Sequence, residues 1–385
     1  VRVAVVAGPD PGHTFPAAAL ASALRDRGHP AVLVTGRRWQ AACARRGLPF
    51  RELPLRAADT TTDDDAGHRL SVRAAQMTPP LVDLLADIDT DLVVADTLTR
   101  AGGWAASLSG VPWVELIPHL LADPSRVLPP FGTGWAPMRG RDRVLRRFAA
   151  RSRAGGVRAQ LAAYATLAGP GARPAAPRHR LVATLPALEP ARPDWPPDAT
   201  VVGPLEWDPA DGDLALPSGE GPLVVCAGST ASGRTGQLGD VAAAALAGTG
   251  VRVAITLLDP GPPELPGPPA PGPPPGPPGV SRGPGRQDPL LAAADVVLTS
   301  GGHGMVAKAL TRGLPVVCVP GGGDQREVAG RVRRLGAGVV TTPGGVRTAV
   351  LRVLGDPAFA RAARAAAARP AGVDPVQVLL GALPE

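Results

Sequence analysis

The chain is almost free of lysine. Lys308 is the single one, so the formal charge of +7 over 385 residues is carried by arginine. Aromatic residues make up only 3%, too few for the stacking platforms that hold single-stranded nucleic acid. The arginines are scattered and sit in no recognised nucleic-acid motif. Nucleic acid is therefore excluded as a partner. The three cysteines, Cys43, Cys226 and Cys318, stand far apart, two of them in apolar strand-like runs. That excludes a disulfide framework or a zinc cluster and predicts buried thiols in a reducing compartment. No apolar run approaches the length of a membrane span. No charged-then-apolar leader opens the sequence. The expectation is a soluble, cytoplasmic protein with no transmembrane segment.

What is present is a globular chain. Hydrophobic residues reach 44%, and the length allows two domains with real cores. Residues 1–7 read as an apolar strand, followed by a turn and a helix over about 16–27. Strands follow at 31–35, 92–95 and 112–117. The pattern restarts with a strand at 223–227, a turn at 228–233, a helix at 237–247 and a strand at 251–257. Short strands alternating with helices predict parallel α/β sheets. Repetition of the unit predicts two halves, divided by the turn-rich, acidic stretch 206–221. Residues 57–67 read as a mobile loop. The Pro/Gly-rich block 260–279 reads as polyproline II or irregular connector. The densest basic run, Arg141, Arg143, Arg146, Arg147, Arg151 and Arg153, reads as a solvated helix face, with an anionic membrane surface or acceptor contact as the sharper alternative.

Residues 295–336 carry the most chemistry. A strand at 295–299 ends at Ser300-Gly301-Gly302-His303-Gly304. A helix follows with Val306, Leu310 and Leu314 spaced toward a core. A second strand, 315–319, opens into Gly321-Gly322-Gly323-Asp324-Gln325. Glycines between a strand end and a helix start let phosphates approach backbone N–H groups and the positive end of the helix dipole. An acid–amide pair at the next strand end would reach a polyhydroxylated group in the same crevice. In the first half, His13 follows one strand and Asp96 ends another. A carboxylate that orients a histidine makes a general base.

Several enzyme classes fail at these positions. Pro9 and Pro11 remove N–H groups where a dinucleotide turn needs them, and no acidic residue closes the second strand, so a nicotinamide enzyme is not indicated. No G-x-S-x-G supports a serine hydrolase. Asp63-Asp64-Asp65 reads as a solvated loop, not as a metal site.

Gly12-His13-x-x-Pro16, the 300–310 segment with Asp324-Gln325, and Val202-Gly203-Pro204-Leu205 together resemble the inverting, nucleotide-sugar-dependent glycosyltransferases of the GT-B fold. The resemblance spans residues 1 to about 340, and bacterial natural-product glycosyltransferases are the nearest subgroup. It implies an α/β protein of two Rossmann-like domains whose parallel sheets face each other across a cleft. The implied division is 1–205 for the acceptor, 206–221 as linker and 222–385 for the nucleotide sugar, the last helix packing back on the first domain. It implies His13 as the base that deprotonates an acceptor hydroxyl, and Asp96 as its orienting partner. Donor contacts are implied for Ser229, Thr230, Ser300, Gly301, Gly302, His303, Gly304, Lys308, Asp324 and Gln325. The co-substrates would be a nucleotide diphosphate sugar, deoxysugars included, and a small-molecule aglycone. No cofactor or metal is expected, and a homodimer is compatible with such a chain. Trp104, His119, Phe131 and Trp135 are candidate acceptor contacts.

The pattern also departs from the family. Ser300 stands where the family has histidine, and Lys308 where it has the glutamate that holds the ribose. The base-stacking tryptophan is missing from Gly283-Pro284-Gly285-Arg286-Gln287. His303 or Lys308 is expected to replace the lost positive charge. The same fold would also serve an auxiliary protein without donor chemistry, or a different reaction such as epimerisation or transfer to a lipid carrier.

Overall fold

The structure is a computed structural model and describes residues 1–54, 66–227, 237–258 and 278–383. Its first half holds β1 (Val3–Val6), α1 (Pro11–Asp26), β2 (Ala31–Thr35), α2 (Gln40–Arg45), β3 (Phe50–Glu52), α3 (Ala66–Asp87), β4 (Leu92–Asp96), α4 (Arg100–Ser109), β5 (Trp113–Ile117), α5 (Arg139–Ala168), β6 (Arg180–Val182) and β7 (Ala199–Val201). The second half holds β8 (Leu223–Ala227), α6 (Gln237–Leu246), β9 (Arg252–Thr256), β10 (Val280–Gly283), α7 (Gln287–Ala293), β11 (Val296–Thr299), α8 (His303–Thr311), β12 (Val316–Cys318), α9 (Asp324–Arg334), β13 (Gly338–Val340), α10 (Val346–Gly355), α11 (Pro357–Ala366) and α12 (Pro375–Leu380).

All strand pairs are parallel, in the orders β3-β2-β1-β4-β5-β6-β7 and β10-β9-β8-β11-β12-β13. Both are doubly wound sheets, with helices covering both faces. The central strands β1, β4, β8 and β11 are buried at every residue, as a sheet covered on both sides requires. In each sheet the winding direction reverses between two central strands: β1 beside β4, and β8 beside β11. Ligand crevices form at such points.

Two helix boundaries differ from the sequence expectation. α1 begins at Pro11, not near residue 16, so Gly12 and His13 lie in its first turn. Pro11 costs nothing there because the first helical N–H has no intrahelical partner, and the Asp10 carbonyl accepts from His13 and Thr14. α8 ends at Thr311, and Leu314 lies beyond it. Gly313 takes φ +70°; its N–H bonds Leu310, and Leu314 N–H bonds Ala309. This is a Schellman stop. Leu314 packs on the core from the turn. The 57–65 part of the expected loop and residues 260–277 of the Pro/Gly block lie outside the described residues, and α3 begins at Ala66.

All three cysteines are buried. Burial pushes the Cys43 thiol up to about 11, and Cys226 and Cys318 to about 12. No helix among the described residues is long and apolar enough to cross a membrane.

Among the described residues the contacts between the halves include three joints. The chain end returns to the first half: Val376 and Leu379 of α12 enter its core, and Arg27 pairs with Asp374 at 2.8 Å. The connecting segment bonds both halves, through Arg46 to the Asp208 and Ala210 carbonyls and through Gln287 N to the Asp208 carboxylate. The third joint is polar and buried. Arg331 of α9 donates to the Leu188 carbonyl (2.6 Å), Glu189 (2.7 Å) and Glu327 (3.0 Å). Glu327 accepts from Gly134 N, and Glu189 from Leu121 N. Gly134 and Gly330 allow this approach, since a Cβ on Gly330 would stand 2.3 Å from the Gly134 oxygen. Arg331→Met would leave the buried Glu189 carboxylate without its cation and Glu327 with only Arg334 at 3.6 Å. The expected cost is about 3–5 kcal/mol, read as a lower urea midpoint; an unchanged midpoint would show that the cluster contributes no stability.

Candidate active site

The register of the first sheet brings two distant residues together. Val6 of β1 is paired with Ala95 of β4, so both chains leave the sheet side by side. One continues into the first turn of α1, and the other ends at Asp96. The result is a contact of 2.6 Å between His13 Nδ1 and Asp96 Oδ1. The other carboxylate oxygen accepts from Leu98 N (3.2 Å), Thr99 N (3.1 Å) and Thr99 Oγ1 (3.0 Å). Asp96 thus serves as a strand-end cap and a histidine partner at once. A carboxylate accepts only, so in the neutral imidazole Nδ1 carries the proton and Nε2 keeps a free lone pair. Burial acts to lower the His13 pKa, but Asp96's charge and hydrogen bond, with Asp10 and Asp324 adding, raise it above the ordinary value.

Asp324 belongs to the second half, and its charge is the weakest of those that raise the His13 pKa. Asp324 is exposed, and Gln325 accepts from Gly321 N at 2.9 Å. Gly301 needs φ +83°, and a Cβ there would meet the Gln325 carbonyl at 3.0 Å. Gly302 precedes the first residue of α8 and Gly304 is its second. Ser300 Oγ is buried without a partner among the described residues. Ser229 and Thr230 lie outside the described residues.

The replacement of positive charge is corrected by the structure. His303 is buried against Thr184 Oγ1 at 2.8 Å, and burial pushes its pKa down to about 3. It is therefore neutral. Lys308 is also buried; its ammonium donates to Gln287 at 3.1 Å and stands 3.9 and 3.8 Å from Asp208 and Asp288. Its charge is committed to these groups. Lys308 and Gln287 border a hollow of about 370 Å³ that Phe15, Trp39 and Trp207 also line. Phe15 lies 5.0 Å from Trp39 and 5.6 Å from Trp207, ring to ring.

On the acceptor side, Trp104 is a correction. It is buried in the first-half core against Tyr164, because the face of α4 that carries it packs inward. His119 stands edge-on to His13 at 6.3 Å and Phe131 lies 6.4 Å further on. His119 Nδ1 donates to the Leu120 carbonyl, and burial lowers its pKa. Phe131 and Trp135 line a cavity of about 1140 Å³ between α5 and α9. Sequence reasoning missed Phe15, Trp39 and Trp207. The available signal was Trp207, two residues beyond the 202–205 segment that closes the first half.

No family model matches the chain. It is 30% identical, over an alignment of 433 positions covering 99% of both chains, to 4'-demethylrebeccamycin synthase of Lentzea aerocolonigenes. Its fold matches the glycosyltransferase of kitacinnamycin with a TM-score of 0.71 at 21% identity, covering 99% of this chain and 95% of that one. A Streptomyces glycosyltransferase complexed with thymidine diphosphate matches with a TM-score of 0.64 at 20% identity, covering 95% and 94%. Full-length similarity to the synthase, with two doubly wound sheets in the same arrangement as these enzymes, places the chain in the bacterial natural-product glycosyltransferases of the GT-B fold.

Proposed function

We propose that this glycosyltransferase moves a sugar from a nucleotide diphosphate sugar to a hydroxyl of a small-molecule natural product, with inversion, and that His13 is the general base. The observation that carries the reading is the 2.6 Å contact between His13 and a buried Asp96 opposite Asp324. The acceptor oxygen attacks the anomeric carbon and gives its proton to His13 Nε2. The bond to the diphosphate breaks, and the electron pair leaves with the diphosphate. Asp96 steadies the imidazolium that forms.

In this reading the diphosphate lies at the N-terminus of α8, where backbone N–H groups and the helix dipole favour negative charge. Ser300 supplies a hydroxyl that has no partner among the described residues. Asp324 and Gln325 take sugar hydroxyls. The nucleoside enters the hollow beside Lys308, with Trp207 and Phe15 in the place of the family's stacking tryptophan. Thymidine diphosphate is the first nucleotide to try, since a fold neighbour was solved with it. Deoxysugars are the first donors, since a second, partial relative is an L-demethylnoviosyl transferase of Streptomyces niveus. His119 and Phe131 face the acceptor. No step is routed through a metal.

Turnover of TDP-sugars with polycyclic phenol acceptors tests the reading. His13→Ala is expected to lower kcat by about 10²- to 10⁴-fold with little change in donor affinity; undiminished turnover in that variant would refute the base. Because only the neutral imidazole accepts a proton, kcat/KM should fall about tenfold per pH unit below the His13 pKa, with the inflection above about 6.5. Asp96→Asn removes the main raising influence and leaves burial, so the inflection should move down; a pH profile unmoved by this change would separate the two residues. Trp207→Ala should weaken thymidine diphosphate binding by the equivalent of about 1–3 kcal/mol, measured by titration, and an unaltered Kd would remove the nucleoside from that hollow.

A further inference from the structure

A cavity of about 1140 Å³ lies between the 121–137 segment, α5, residues 187–194 and α9. Its walls are apolar, with Leu121, Leu128, Phe131, Val157 and Leu335 among them, yet seven arginines and only three carboxylates border it. Those carboxylates are engaged. Asp123 pairs with Arg180 at 2.8 Å, Asp194 accepts from Ser125 Oγ and Arg126 N, and Glu327 is held by Arg331. The cation excess is therefore real at the cavity wall. Arg146, Arg153 and Arg158 recur on the side of α5 that lines the cavity, interleaved with Ala149, Ala150, Ala154 and Val157. Among the described residues none of the three has a carboxylate within 4.0 Å.

Arg192 is the more informative member. It is only 9% exposed. Its Nη1 donates to the Asp123 carbonyl at 2.9 Å, and its face lies on Trp195 at 5.0 Å. The remaining nitrogens, Nε and Nη2, are buried in the wall with no partner among the described residues. Together they form one edge of the guanidinium fork, the edge that matches the two oxygens of a carboxylate. Asp194 is near enough for its carboxyl to be held low in part by this charge, but it forms no ion pair with it. A desolvated cation without a counter-ion is unfavourable; both nitrogens are closed to solvent, so an anion in the adjoining cavity, which Arg192 also lines, meets them once the side chain turns toward it. Phe131 belongs to this wall and leads through His119 to His13 in ring steps of 6.4 and 6.3 Å.

We infer that this cavity seats the acceptor and selects a polycyclic aglycone that bears a carboxylate, with Arg192 as the carboxylate-recognising residue and the arginines of α5 steering it in. The inference rests on the transfer reading above and names its acceptor class.

The test is direct binding of anthraquinone-2-carboxylate and its neutral analogue anthraquinone-2-carboxamide to the full chain, without nucleotide sugar, followed by tryptophan fluorescence or calorimetry. The carboxylate should bind at least about tenfold more tightly, as a charge-assisted bidentate contact implies, and the preference should shrink with added salt. Arg192→Gln should abolish the preference. Arg146→Gln combined with Arg153→Gln, on the outer helix, should reduce it and provides the test if the buried substitution unfolds the chain. Equal affinity of the wild type for the two compounds would overturn the inference, as would a preference untouched in every folded variant. Donor hydrolysis by the wild type and its dependence on His13 are measured separately. Absence of the carboxylate preference beside His13-dependent hydrolysis rejects the acceptor class alone; loss of hydrolysis rejects the transfer reading.

Discussion

The cleft depends on one buried guanidinium. Arg331 sits in α9, the helix that starts at Asp324, and it grips Glu189 and the Leu188 carbonyl of the other half while its own neighbour Glu327 reaches Gly134. Charges this deep interact strongly because little water screens them, and they offset their desolvation only when every partner is in place. Here the partners are two carboxylates and a carbonyl. The consequence is positional. The start of α9 is held against the first half, where Gly132 approaches the Gly323 carbonyl, and the Asp324 charge is among those that raise the His13 pKa. Leu120, Leu185 and Leu188 of the first half enter the core of the second around this cluster, so apolar burial and the ion cluster oppose separation at the same place.

Within each half the decisive constraint is the parallel register. β1 and β4 end together, and so do β8 and β11, with Ala227 paired to Thr299. A doubly wound sheet reverses direction at these points, and the loops that leave them cannot fill the crevice between them. His13 and Asp96 stand at one such point. The glycine turn and Ser300 stand at the other. The family departures concentrate near the second crevice. Lys308 is drawn into a cluster with Gln287, Asp208 and Asp288, and the connecting segment brings Trp207 alongside it.

Much of the fold was legible in the sequence. Parallel strands buried on both faces are short, continuous apolar runs, and those at 31–35, 92–95, 223–227 and 251–257 fall within a residue or so of the observed limits. Helix ends were less legible. The start of α1 was hidden because Pro9 and Pro11 read as turn residues, although the first helical position tolerates proline. The end of α8 was hidden because Leu314 continues the helical spacing from beyond a Schellman stop. Short side chains gave the same ambiguity at the site. Trp104 read as a ligand contact and proved to be core, since sequence does not say which face of α4 points inward.

What the sequence determined on its own was the set of local elements and the chemistry carried at their ends: His13 after the first strand, Asp96 at the end of another, glycines before α8, and an acid–amide pair at α9. These follow from short-range patterning, which depends on neighbours within a few residues. Tertiary structure alone decided which of them meet. It paired His13 with Asp96 across 83 positions, took the charge from His303 by burying it, and committed Lys308 to acidic neighbours. It also left the Arg192 fork without a partner beside an apolar cavity. Burial and long-range electrostatics arise only when distant segments share one volume, and no local pattern carries that information.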